Sequence, residues 1–218
     1  MKIKGTLTIL FYSLGLLLYG QNTMHFESFS TSEGLGHSHL FTIAADINGL
    51  IWIGSWDGLS SYDGYKFANY RTAKTNPGLA GSNVISVIEP DSLGYIWFGT
   101  EGAGMSVFHP DADTFINYQS QGPEGKILLD NNVVSICHLG DKVWIGTSGG
   151  LSILDRQSDS ISNYTLKKSG LTGQLTSIVK VGNSQAVIAT PEGFARVMLK
   201  EEQLVLSTVH LNATSKTE

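Results

Sequence analysis

Three tryptophans, Trp52, Trp97 and Trp144, recur at intervals of about 45 residues and sit inside the same local phrase each time. Around them run LFTIAADINGLIWIGSWDGLSSYDGYKFANY (Leu40 to Tyr70), VISVIEPDSLGYIWFGTEGAGMSVFHPDADTFINY (Val84 to Tyr118) and VVSICHLGDKVWIGTSGGLSILDRQSDSISNY (Val133 to Tyr164). A weaker fourth copy runs from Leu175 to Val209, with Val187 in the tryptophan position. A chain that repeats at this period must stack similar units, because one such unit cannot bury its own apolar faces.

The pattern inside a copy decides between helical and β units. Each copy holds four short runs rich in Val, Ile, Phe, Trp and Tyr, separated by Gly, Asn or Asp. No run sustains a helical period over three turns. Four antiparallel strands per repeat make a propeller blade, so the expected fold is all-β, a partial ring of about four four-stranded blades. The first strand lies at Ile43, Val87 and Ile136, and a tight turn follows it. Asn48-Gly49 is a strong hairpin signal there, with Leu93-Gly94 and Gly140-Asp141 in the same place. The tryptophan of the second strand is expected to wedge between blades, burying on the order of 200 Å². Gly54, Gly99 and Gly146 follow it, where a side chain would obstruct close approach. The third strand is expected at Leu59 to Tyr62, Met105 to Phe108 and Leu151 to Leu154, and the fourth ends in Tyr70, Tyr118 and Tyr164.

The blades are bounded at about 40–70, 84–118, 133–164 and 175–209, within a repeat region of residues 21–211. The linkers GLGHSHLFTI, GLAGSNVISVI, ILLDNNVVSI and GLTGQLTSIV repeat as well. Met24 to Phe29 read as an outer strand without a blade of its own, and residues 212–218 as a polar tail. The unpaired strand and the tail predict that the ring does not close within this chain, and that the chain is the front of a longer protein or a truncated product. An open arc would expose apolar blade faces, which further blades or a second copy in a homodimer would cover.

Residues 1–20 differ from the rest. Lys2 and Lys4 precede an apolar stretch from Leu7 to Leu18, and Gly20 stands before Gln21-Asn22. This is the pattern of a cleaved signal peptide, ending near Gly20, and it predicts an exported, periplasmic protein. The stretch is short for a membrane span, and none is expected in the mature chain. With 14 basic against 19 acidic residues, the chain carries no basic footprint for nucleic acid. Its single cysteine, Cys137, sits in an apolar strand and is expected to be packed rather than reactive.

At its repeats the sequence resembles the two-component regulator propeller family. The family's pattern is an Asp-x-x-Gly turn, an Ile-Trp-Ile-Gly-Thr strand, then Gly-Gly-Leu and a hydrophobic strand. Asp46 to Ser55, Asp91 to Thr100 and Trp144 to Leu151 carry it, and the likeness extends over about residues 24 to 209. The first copy departs with Ser55 for Thr, and the fourth with no Trp and with Pro191 in the turn. The resemblance implies the periplasmic sensor of a hybrid histidine kinase, responding to oligosaccharides and working as a dimer. It also implies two seven-bladed propellers, a further β-domain, a membrane helix and a kinase, so any kinase activity would lie outside this chain.

Propellers bind ligands where strand-connecting loops converge. The linkers into each blade and the turns between second and third strands are expected to open on one face. The linkers offer His37, His39, Asn83, Asn131 and Asn132, and the turns offer Trp56, Asp57, Glu101 and Glu192. Amides, carboxylates and an exposed indole suit a sugar. The bland alternative for each is turn capping or packing between blades. His37 and His39 alone make at most half a metal site, and the Asp-x-x-Gly turns lack the alternating acidic ligands of a calcium loop, so no metal or other cofactor is expected. His109 and His138 stand isolated, and no phosphate loop or nucleophile elbow appears. The sequence therefore points to a sensing or binding surface rather than an enzyme. The competing readings are a lyase of the streptogramin-lyase type, which would need a paired catalytic His and a metal, and a non-signalling remnant.

Overall fold

The computed structural model describes Met24 and residues 26–71, 81–166, 174–182, 184–200 and 203–208. The expected signal peptide at 1–20 and polar tail at 212–218 lie outside the described residues.

Among the described residues, sixteen strands form four separate four-stranded antiparallel sheets. Blade 1 comprises β1 (Leu40–Ala45), β2 (Ile51–Ser55), β3 (Gly58–Tyr62) and β4 (Phe67–Tyr70). Blade 2 comprises β5 (Ile85–Pro90), β6 (Ile96–Thr100), β7 (Met105–His109) and β8 (Thr114–Tyr118). Blade 3 comprises β9 (Val133–Leu139), β10 (Lys142–Thr147), β11 (Gly150–Asp155) and β12 (Ser160–Tyr164). Blade 4 comprises β13 (Ser177–Val181), β14 (Gln185–Thr190), β15 (Gly193–Lys200) and β16 (Gln203–Thr208). In each sheet the strands pair in chain order, and among the described residues the sheets do not close into a ring. Blade 4 packs on blade 3 without a tryptophan of its own, because Trp144 of blade 3 fills that junction against Ile178, Ala186 and Ile188.

The Asp-x-x-Gly turn performs two tasks at once. Asp46 Oδ1 accepts the amides of Asn48 and Leu50, and its Oδ2 accepts the Trp52 indole N–H at 2.9 Å. Asp91 repeats this with Leu93, Tyr95 and, at 3.1 Å, the Trp97 indole. One carboxylate thus closes the hairpin and fixes the rotamer of the core tryptophan.

The junctions between blades are apolar, and each tryptophan faces the next blade. Trp52 packs with Ile85, Ile88, Phe98 and Phe108, Trp97 with Val133, Ile136 and Val143, and Trp144 with Ile178, Ala186 and Ile188. The glycine two residues past each tryptophan accepts the next blade's first strand or its linker. A Cβ on Gly99 would lie 2.5 Å from Val133, one on Gly54 2.8 Å from Ile85, and one on Gly146 2.5 Å from Leu175.

A polar clip recurs on the outer strands. Ser60, Ser106 and Ser152 each donate to the facing Asn69, Asn117 and Asn163 at 2.6 Å. The Asn69 amide then holds the Gly34 carbonyl, and the Asn163 amide holds that of Ile127, so the incoming linker is tied to the blade it enters. Leu35 and Leu128 are buried at the same place in these linkers.

The described residues of 24–29 form no strand. Instead Phe29 packs on Tyr62 and Phe67, and Ser30 caps a single 3-10 turn, Thr31–Glu33, through a capping box with Glu33. The segment lies on blade 1 itself, because Gly34 and Gly36 are held there by Asn69 and Arg71. A strand needs an edge to pair with, and these residues meet none; Phe29 alone reaches apolar cover, while Met24 and Phe26 stand exposed.

Candidate functional site

The linkers and the turns between second and third strands do meet on one face. Their backbones are joined there: Trp56 N–H to the His39 carbonyl, Gly58 to Asn83, Gly104 to Asn131 and Ser148 to Asn132, at 2.7 to 3.1 Å. Gly104 is required at its turn, having φ of +86° and the Tyr118 carbonyl 2.1 Å from where a Cβ would stand.

At blade 1 this face carries an aromatic cluster. Trp56 is 55% exposed and Phe41 47% exposed. The His39 ring stands edge-on to Trp56 with centroids 5.0 Å apart and lies 5.1 Å from Phe41. Phe41 reaches the cluster through the break in register between Leu40 and Thr42 against β2, a bulge that re-aims the side chain. The same break recurs at Ser86, whose hydroxyl instead holds the Val133 carbonyl of the next blade.

Beside the indole lies a polar edge. Asp57 makes an ion pair with Arg71 at 3.0 Å and accepts the Asn83 amide at 3.1 Å. Arg71 also holds the carbonyls of Asp57 and Gly36. Indole, phenyl, carboxylate, guanidinium and amide groups therefore converge from one turn, the start of β1 and the two linkers flanking blade 1.

The other sequence candidates are placed on the same face but are spread along it. Asn131 accepts the Ser120 amide through its side chain, and Asn132 donates to Ser148, so both brace the junction of blades 2 and 3. His37 Nδ1 accepts the His39 amide at 2.9 Å, which fixes the ring against its own linker. Glu101 and Glu192 are exposed in the turns of blades 2 and 4.

A second cluster, on the opposite hairpin face, has no counterpart in the sequence candidates. Arg156, from the turn after β11, pairs with Asp91 at 2.8 Å and lies 5.4 Å above the Trp97 ring. The His138 ring stands edge-on to the same indole at 5.5 Å. Burial works against the Asp91 charge, but the Trp97 indole, the Tyr95 and Leu93 amides and Arg156 outweigh it and hold the carboxyl below its ordinary value. Burial pushes His138 down, with Arg156 adding to this while the Asp91 carboxylate and the Glu89 backbone partly offset it. Burial pushes Glu89 up.

These shifts have opposite consequences for stability. His138 resists its proton when folded, so its contribution is complete above the ordinary value of 6.5 and is lost as pH falls through the lowered folded value. Glu89 contributes with the reverse sign, favouring the folded state below 4.5 and losing that as pH rises through its raised value. The chain is expected to lose stability between about pH 7.5 and about pH 5.5, and His138→Gln to flatten that loss. Urea midpoints of both proteins across this range check it; a constant gap between them would reject the assignment to His138.

Repeated four-stranded sheets, joined face to face by wedged tryptophans with their first strands side by side, define a β-propeller domain. The family described as two component regulator propeller matches at residues 78–102, which contain Asp91, Trp97, Gly99 and Thr100. The chain carries the repeat of that family.

A histidine kinase, P4, of Formosa agariphila is 30% identical over 140 residues, covering 62% of this chain and 10% of that protein. The extracellular domain of a putative hybrid two component system from B. thetaiotaomicron superposes with a TM-score of 0.72 at 21% identity, over 84% of this chain and 26% of that one. A second such domain from the same organism gives 0.65 at 26% identity, over 84% and 23%. This chain therefore spans a tenth of the kinase and about a quarter of each solved domain.

Proposed function

We propose that this chain is part of the extracytoplasmic sensing propeller of a hybrid two-component histidine kinase, and that it contributes a contact surface for an oligosaccharide. The observation that carries the reading is the exposed His39, Phe41 and Trp56 cluster beside the Asp57 and Arg71 pair. Sugar rings present an apolar C–H face and a rim of hydroxyls, which an indole and planar charged groups match. The likeness to extracellular domains of hybrid two component systems supports the sensory role. The leader pattern at residues 1–20 supports export.

The two ends of the arc carry apolar faces of their own. Ile43 on blade 1 is 69% exposed and Val179 on blade 4 is 58% exposed. These faces favour cover by a further blade or a second copy of the chain.

Thermal melts of the full chain with a panel of neutral and acidic oligosaccharides test the reading. At least one glycan is expected to raise the midpoint, and Trp56→Ala to remove the rise while leaving the unliganded midpoint within about 2 °C. A panel without any effect would reject the glycan contact. A Trp56→Ala change in oligomeric state by light scattering would assign the cluster to an interface between blades or copies instead.

A further inference from the structure

A cleft of about 470 Å³ opens on the hairpin face, where β5 and β9 end, away from the aromatic cluster. Glu89, Ser92, His138, Arg156 and Lys180 line it. Arg156 is committed to Asp91, but several neighbours are not committed to anything. The half-buried Glu89 carboxylate has no hydrogen bond or ion pair among the described residues, and burial alone accounts for its raised proton affinity. Both ring nitrogens of His138 are enclosed without a hydrogen bond of ordinary geometry among the described residues, although the Glu89 backbone is near enough to favour the protonated ring. Buried polar groups are nearly always paired, so the enclosed His138 nitrogens beside an unpaired Glu89 carboxylate mark a place where a partner is accommodated. A half-turn of the imidazole about its outer side-chain bond exchanges its nitrogens with its carbons at little cost in shape, and this is how a nitrogen would be presented to the cleft it lines.

The chemistry of the walls selects the class of partner. Arg156 and Asp91 neutralise each other. Glu89 and Lys180 bring one charge of each sign. Neutral imidazole offers one donor and one acceptor. The sum is a cleft without net charge that needs a ligand able both to give and to accept hydrogen bonds at several points. We propose that this cleft binds one ring of a neutral polyhydroxylated ligand, with hydroxyls donated to Glu89 and exchanged with His138. The site shares no residue with the linker-face surface and stands whether or not that surface binds glycans.

The full chain with ¹⁵N-labelled histidine is titrated with glucose, galactose and mannose, and separately with serine and acetate. Long-range nitrogen–proton spectra report the His138 ring, assigned through His138→Gln. A neutral hexose is expected to shift the His138 nitrogens in a saturating way with Kd on the order of 1 mM. Glu89→Ala is expected to weaken this about tenfold, a single lost charged hydrogen bond. Trp56→Ala is expected to leave it unchanged, which separates this site from the aromatic cluster. No saturating shift by any hexose, a response that survives Glu89→Ala, or a response confined to serine or acetate would each overturn the proposal.

Discussion

Replacing Trp97 with alanine is expected to cost about 3–5 kcal/mol, read as a shift in the urea midpoint of the full chain. The indole is almost wholly buried at the junction of blades 2 and 3, where it packs with Val133, Ile136 and Val143. Its loss removes more than packing. Asp91 would lose one of the donors to its Oδ2, and Arg156 would lose the ring beneath it. Trp97→Phe keeps most of the bulk and strands only the hydrogen bond, so about 1–2 kcal/mol is expected. In a stack of similar units, weakening one junction also uncouples its neighbours. Tryptophan fluorescence and far-UV signals should therefore separate in Trp97→Ala while coinciding in the unmodified chain. A loss below about 1 kcal/mol would show that the tryptophan is not what joins the blades.

The blades were legible in the sequence because their signals are local. A hairpin needs an Asn, Asp or Gly at a given offset, a half-buried strand needs alternation, and the tryptophans supply the register. Blade 4 was legible by length and spacing even with Val187 in the tryptophan place, since a smaller residue changes the packing and not the pairing. What stayed hidden depends on which partner a residue meets in another copy. Arg156 and Asp91 stand 65 residues apart, and nothing local to either announces the pair. His138 reads as an isolated histidine until the fold sets it against Trp97. Phe41 reads as one more strand residue until a bulge turns it out beside Trp56.

The same distinction sorts the site candidates. The convergence of linkers and turns on one face follows from four-stranded connectivity, so it could be read without coordinates. Which side chains remain available there could not. Asn131, Asn132 and His37 have the right chemistry for a ligand, yet their hydrogen bonds go to neighbouring backbone and side-chain groups. Trp56 is the opposite case: the bland expectation was packing between blades, and it stands half exposed.

Gly99 sets how closely two blades approach, and its substitution gives the sharpest test of the interblade geometry. A Cβ there would meet Val133 Cγ1 of the next blade at 2.5 Å and Val87 Cγ1 of its own first strand at 2.8 Å. Neither valine has room to turn, because Val133 is fully buried and Val87 packs against the same core. Gly99→Ala is expected to cost about 1–3 kcal/mol through overpacking, and Gly99→Val more. Gly81→Ala provides the control: a Cβ there meets nothing within 4 Å, so a change within about 0.5 kcal/mol is expected. Pairing Gly99→Ala with Val133→Ala makes the argument specific. If the clash lies between blades, the second substitution creates the space the first one needs, and the double variant is more stable than the two single losses predict by about 1 kcal/mol or more. Strict additivity would place the strain of Gly99→Ala within blade 2, against Val87. The repeat would then owe its glycine to the fold of each blade rather than to the packing of one blade on the next.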